Sequence, residues 1–197
     1  MVEKNAALEA KVLILEDRVA VSENVSSKLS SELDRLDQYH RRSNIIIKDA
    51  FLPEKETIEE VKNTVVEIIS QDLKLPEMAK SIDKLHRIGK VLTKNGKKQQ
   101  DIIVRFKTHH SRYSIYKEWK MAKNVRISPY LTKKRVGILK EASSLVEKLD
   151  MVDFVFANIH GDLNLRLVEP FHEKQYFQFS TVDELTTLLN SMDIYSE

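Results

Sequence analysis

Between Ala79 and Lys140 the chain carries eighteen lysines and arginines against three acids, a net +15 over 62 residues. Residues 1–40 sum to −3, residues 41–78 to −2 and residues 141–197 to −8, so the formal total of +2 conceals one basic block in an acidic chain. The chemistry open to such a block is neutralisation of a polyanion, because each phosphate met by a lysine or arginine releases condensed counterions and that release favours binding. An ordinary solvated surface alternates in sign, whereas only Asp83, Asp101 and Glu118 interrupt this run. The candidate phosphate contacts are Arg41 and Arg42 ahead of the block, Lys94, Lys97 and Lys98 within a lysine-rich stretch, and Arg105 and Lys107. A further group comprises Lys120, Lys123, Arg126, Lys133, Lys134 and Arg135.

Other chemistries find little support. The chain has no cysteine, which excludes disulfides, thiolate metal sites, zinc knuckles and a cysteine nucleophile. With four glycines it holds no glycine-rich phosphate loop, and neither a G-x-S-x-G elbow nor an H-E-x-x-H helix occurs. His109 and His110 are adjacent and cannot easily face one metal, and His160 and Asp162 fit a turn for backbone reasons. A nuclease needs convergent carboxylates, and the acids lie away from the basic block. The reading is therefore a non-enzymatic protein with no cofactor. No apolar run approaches the roughly 18 residues of a membrane span, and the first thirty residues are charged and periodic, unlike a signal peptide. An intracellular protein is expected, in the cytoplasm with the nucleus as an alternative.

The elements that must position these cations follow from periodicity. The first forty residues lack Gly and Pro and place Leu8, Val12, Leu15, Val19, Ser22, Ser26, Leu29, Leu33 and Leu36 at alternating steps of four and three, a heptad seam. Val21 and Val25 suggest a register shift at its weak middle. A long surface helix would also fit, but self-association is preferred because a helix of this kind is marginal without a partner. Dimer and trimer both remain open.

After the seam, Asn44–Lys48 reads as a strand, Thr57 caps a helix running to about Lys74, and Ser81–Ile88 reads as a second strand. A flexible basic loop is expected over Gly89–Gln100, then a strand Asp101–Lys107, a helix Ser111–Ala122 and a short strand Val125–Ile127. This β-α-β-β-α-β order predicts a ferredoxin-like sheet of the RNA-recognition type with two helices on one face. Thr132 is expected to cap a helix to Leu149. Strands at Val152–Ala157 and Leu163–Val168 joined through His160-Gly161-Asp162 follow, then a strand at Tyr176–Phe179 and a helix opened by a Ser180/Asp183 capping box. The fold class is α+β: a coiled coil over 1–42, an RNA-recognition-like domain over 43–128 and a small α+β domain over 129–197.

In Asp101–Lys107, period-two alternation sends Ile102, Val104 and Phe106 to one face and Ile103, Arg105 and Lys107 to the other. The second face, with Asn44, Ile46 and Lys48, lacks the aromatic rings that RNA-recognition sheets use for stacking, which points to phosphate-dominated, weakly sequence-selective binding. A cleft between the two domains, floored by Arg105 and with Tyr130 as a stacking ring, would grip a single strand.

The segments Arg41-Arg42-Ser43-Asn44-Ile45, His86-Arg87-Ile88-Gly89, Asp101-Ile102-Ile103-Val104-Arg105-Phe106 and Ile127-Ser128-Pro129-Tyr130-Leu131-Thr132-Lys133-Lys134-Arg135 follow the coil in that order. The chain thereby resembles the first-frame RNA-binding proteins of LINE-type non-LTR retrotransposons and the related baculovirus few-polyhedra (FP) proteins. The retrotransposon resemblance implies a self-associating single-strand nucleic-acid binder with chaperone activity in a ribonucleoprotein. By position it makes Arg41 and Arg42 the basic pair before the first strand, Arg105 the arginine of the central strand and Arg135 the helix arginine of the C-terminal domain, and it sets Phe156 near an aromatic position. The FP resemblance implies instead a viral scaffold in virion envelopment and occlusion. The short length and missing zinc knuckle suit the FP branch, whereas the His-Arg-Ile-Gly and Ile-Ser-Pro-Tyr-Leu-Thr segments look more like the retrotransposon branch.

Overall fold

A computed structural model describes residues 2–122, 125–168 and 176–193. The architecture is mixed α+β, with a long N-terminal helix, two antiparallel sheets and a C-terminal helix. By internal contacts the chain divides into Met1–Asp37 and Gln38–Glu197.

The first unit is nearly all of helix α1 (Val2–Arg41), which forms because nothing in its first forty residues breaks a helix. Leu8, Val12, Leu15, Val19, Leu29, Leu33 and Leu36 are 49–69% exposed, as are Val21 and Val25 in the same range. These nine apolar side chains are thus exposed along the helix.

The second unit holds two apolar cores. The first lies between a four-stranded sheet and its helices: β1 (Asn44–Phe51), α2 (Ile58–Glu67) continuing through a π turn at Ile68–Asp72, the single turn α3 (Pro76–Ala79), β2 (Ile82–Lys94), β3 (Lys97–Phe106), α4 (His109–Trp119) and β4 (Ile127–Pro129). The strand order is β2-β3-β1-β4 with every neighbouring pair antiparallel. Ile45, Ile47, Ile102, Val104 and Phe106 point inward against Val61, Val65, Ile69 and Ile115 of the helices, all at most 5% exposed. Thr57 caps α2 through a reciprocal box, its Oγ1 accepting from Glu60 N at 3.3 Å and Glu60 Oε2 accepting from Thr57 N at 2.6 Å.

The second core joins α5 (Lys133–Val146) and α6 (Val182–Asp193) to a sheet in the order β5 (Val152–Ala157), β6 (Leu163–Leu167), β7 (Tyr176–Phe179). Leu163, Leu165 and Leu167 of β6 meet Ala142, Val146, Phe179, Leu185 and Leu189 there.

Several boundaries move from the sequence expectation. The stretch Gly89–Gln100 is a β-ribbon, not a flexible loop: β2 runs on to Lys94 and turns into β3 through Asn95 (φ 51) and Gly96 (φ 73). Two consecutive left-handed residues are what a two-residue type I′ hairpin requires, and Asn-Gly is the pair best suited to it. Helix α4 starts two residues early because Thr108 accepts from Ser111 N, and β4 is displaced to Ile127–Pro129. The cap of α6 is Thr181, whose Oγ1 accepts from Glu184 N at 3.1 Å, one residue beyond the expected Ser180/Asp183 box.

Candidate nucleic-acid interface

The exposed face of the four-stranded sheet arises by alternation. Opposite the core residues Ile45 and Ile47 lie Ile46 and Lys48, and Ile46 pairs with Ile103 on one side and Ser128 on the other. Lys48 Nζ is 2.7 Å from Asp101 Oδ2, and Asp101 Oδ1 accepts from Asp49 N at 3.1 Å. The acid in the middle of the sheet is therefore neutralised locally. Asp49, at φ 55 in the β1 bulge, pairs with Arg126. Arg105 remains 60% exposed while its Nε lies 3.3 Å from Asp83 Oδ2, an exposed pair of the kind worth little in water.

This face opens into a groove of about 1320 Å³. One wall carries Ile46, Lys48 and Ser128 with Tyr116, Trp119 and Lys120 at the end of α4; Tyr130 and Leu131 lie between; the other wall is the outward face of the β5-β6-β7 sheet. In that sheet Phe154 pairs with Arg166 and Arg166 with Tyr176, so the three lie side by side across the strands, with Phe156 one step along the same face. The ring centroids of Phe154 and Phe156 are 5.4 Å apart and those of Phe156 and Tyr176 are 6.0 Å apart; Arg166 Cζ lies 5.6 Å from the first ring and 5.9 Å from the third. Phe154 and Tyr176 are 41% and 45% exposed. The rings facing this groove offer π faces for bases and Lys120 a cation for phosphate, while Lys48 is paired with Asp101 and Arg166 Nε lies 3.3 Å from Asp153 Oδ2.

The segment between the walls is held by the last turn of α1. Gln38, 4% exposed, donates from Nε2 to Tyr130 O at 3.2 Å and accepts at Oε1 from Thr132 N at 3.1 Å. Arg41 donates to Leu131 O at 3.3 Å and its guanidinium lies 4.2 Å from the Tyr130 ring centroid, so one face of that ring is covered by Arg41. Arg135 donates to Gly161 O at 2.7 Å and reaches Asp162, tying the 158–162 turn to the start of α5.

The sequence-selected cations therefore separate into groups. Lys120 faces the groove, within 5.7 Å of the Tyr116 ring, together with Lys48, which was not among the selected residues. Arg41 and Arg135 brace the fold, and Arg42 stacks at 3.7 Å over Tyr39. Lys94, Lys97 and Lys98 project from the ribbon, and Lys107 is exposed after β3. Lys133 and Lys134 are exposed in the first turn of α5, which contains no acid, where the helix dipole disfavours cations and favours a bound anion. Lys123 lies outside the described residues. Two cations of the basic block are interior: Arg87 forms a bidentate pair with Glu56 at 2.7 and 2.9 Å, and Arg112 is 1% exposed with Nε donating to Asn44 O.

Near Arg112, the His109 and His160 rings stack at 5.8 Å with an 11° tilt. Burial first, then the charges of Arg112, His160, Arg42 and His110, push His109 below the usual imidazole value. Burial lowers the Arg112 guanidinium to about 10, so it stays charged at neutral pH. Among the described residues no three His, Cys, Asp or Glu side chains gather as a metal site.

Sequence reasoning did not find Gln38, Phe154, Arg166 or Tyr176. Period-two spacing of Phe154 and Phe156 was the available signal for the aromatic wall; nothing local marks Gln38. In comparisons with known proteins, no family model matches the chain and no curated protein matches it.

Proposed function

We propose that this chain is a non-enzymatic, self-associating protein that binds single-stranded nucleic acid, RNA in the first place, in the groove between its two sheets. The observation that carries the reading is the pairing of walls: a wall with Lys48 and Lys120 stands opposite an aromatic face containing Phe154, Phe156 and Tyr176. Stacking on those rings is indifferent to base identity, and lysines read only phosphate, so affinity is salt-dependent and weakly selective. The antiparallel order β2-β3-β1-β4, with α2 and α4 on one face, supports a ferredoxin-like sheet of the RNA-recognition type. The exposed seam of α1 supports a dimer or trimer, which would convert weak single sites into avid binding and fits a chaperone in a retroelement-type ribonucleoprotein.

The test is titration of the full chain with fluorescent single-stranded RNA across salt, beside a Phe154→Ala/Tyr176→Ala variant. Stacking is worth about 1–3 kcal/mol per base, so the variant should bind roughly 5- to 150-fold more weakly while keeping its far-UV circular dichroism. Wild-type protein that fails to bind even at low salt would overturn the reading and favour the FP-like assembly scaffold, for which the uncovered apolar side chains of α1 are the supporting observation.

A further inference from the structure

The sheet face that opens into the groove continues beyond it. Along β3, Arg105, Ile103, Asp101, Gln99 and Lys97 share that face at period two, and the partners of Gln99 are Phe51 on β1 and Leu92 on β2, while Lys97 faces Lys94. Two irregularities set this register. One extra residue in β1 between Ile47 and Ala50 keeps Ala50 in the core and turns Phe51 outward; two extra residues in β2 beyond Gly89 (φ 76), an even number, leave Leu92 on the face of Ile88. A one-residue slip reverses every side chain, so without the β1 bulge Phe51 would face the helices. Instead Phe51 and Leu92 are 56% and 57% exposed, with Lys94 and Lys97 exposed on the same face and Lys98 exposed on the opposite one. Among the described residues none of these three lysines meets a carboxylate within ion-pair distance. From Arg105 to Lys97 the face spans about 27 Å at about 3.4 Å per residue.

We infer that the β2–β3 ribbon is a second station for the same ligand: a single strand leaving the groove past Lys48 stacks a base on Phe51 and sets phosphates against Lys94 and Lys97. The inference rests on the groove reading and adds a length requirement to it. Three observations converge: the ribbon shares a face with the groove, it presents one ring beside two uncompensated cations, and a built bulge exposes that ring. Phe51 and Leu92 together offer little apolar area for insertion into a lipid surface, which favours the nucleic acid as occupant.

The test compares full-length wild type, Phe51→Ala and Lys94→Glu/Lys97→Glu across a length series of fluorescent single-stranded RNA. Short strands that fill only the groove should bind all three proteins alike. Longer strands should lose roughly 5- to 150-fold on Phe51→Ala, and on the double variant their salt slope should fall by about 1.4, at about 0.7 per phosphate contact. Equal affinities at every length would overturn the inference, as would a loss independent of length. Flotation with phosphatidylserine vesicles abolished in the double variant, at unchanged RNA affinity, would assign the ribbon to membranes and overturn it too. Short strands failing to bind wild type would instead defeat the groove reading, an outcome recognisable without either ribbon variant.

Discussion

Gly161→Ala probes the node that sets the groove, and its effect depends on one other side chain. Gly161 has φ +87, and a Cβ there would stand 2.3 Å from Gln38 Nε2 and 2.6 Å from its Cδ. The backbone strain of an L residue in this region is worth about 1–2 kcal/mol. Displacing Gln38 breaks its bonds with Tyr130 O and Thr132 N, and each buried group left unpaired costs about 1–3 kcal/mol. With partial relaxation the single variant should lose about 3–5 kcal/mol. In a Gln38→Ala background those bonds are already gone and the space is vacant, so Gly161→Ala should cost only the strain of about 1–2 kcal/mol. The cycle therefore predicts a coupling of about 1–4 kcal/mol between residues 123 positions apart in sequence. Urea denaturation of the full chain, followed by far-UV circular dichroism and by the fluorescence of Trp119, measures each corner. Additivity within about 0.5 kcal/mol would show that Gln38 does not occupy the space beside Gly161 and would refute the bracing role assigned to it.

Three further outcomes follow from other parts of the molecule. Leu15→Asp with Leu29→Asp should abolish self-association measured by sedimentation and weaken RNA binding, while leaving the sheets folded; an unchanged mass would remove α1 from assembly. Glu56→Ala should destabilise the chain by about 3–5 kcal/mol in the same denaturation experiment, because it strands the Arg87 guanidinium, whose side chain is 11% exposed; a loss below about 1 kcal/mol would show the pair to be dispensable. His109 is depressed below 6.5 in the folded state, so unfolded chains bind its proton more tightly. Its contribution to stability is complete above that value and declines as pH falls from there toward the lower folded value, and His109→Phe should flatten that part of the profile; a slope identical in wild type and variant would assign the dependence to other groups.

Much of the local architecture was legible in the chain. Thr57 followed by Glu60 specifies its own cap through two short-range bonds, and the alternation of Ile102, Ile103, Val104, Arg105 and Phe106 reads directly as a strand with one buried face. The ribbon was legible in principle, since Asn95-Gly96 is a hairpin signal, but the surrounding lysines read as a loop by composition. The capping residue of α6 was misplaced by one because Ser180 and Thr181 are both competent caps, and only the path of the chain selects Thr181. The aromatic wall was half visible as Phe154 and Phe156, whereas Tyr176 and Arg166 join it only through cross-strand pairing.

By itself the sequence determined that a long breaker-free helix precedes mixed helices and strands, that no thiol chemistry is available, and that positive charge is concentrated in one block. These are properties of composition and of neighbours a few residues apart. Tertiary structure decided what the charges do: Arg87 and Arg112 are taken into the interior, Arg41 and Arg135 become braces, and Lys48 and Lys120 come to face three rings from strands more than thirty residues away. Gln38, unremarkable on a polar helix, becomes the buried link between the helix end and the segment lining the groove. The physical reason is that charge and helical or strand period are written locally, whereas burial and partnership depend on which distant segments pack together, and that is settled only when both cores close.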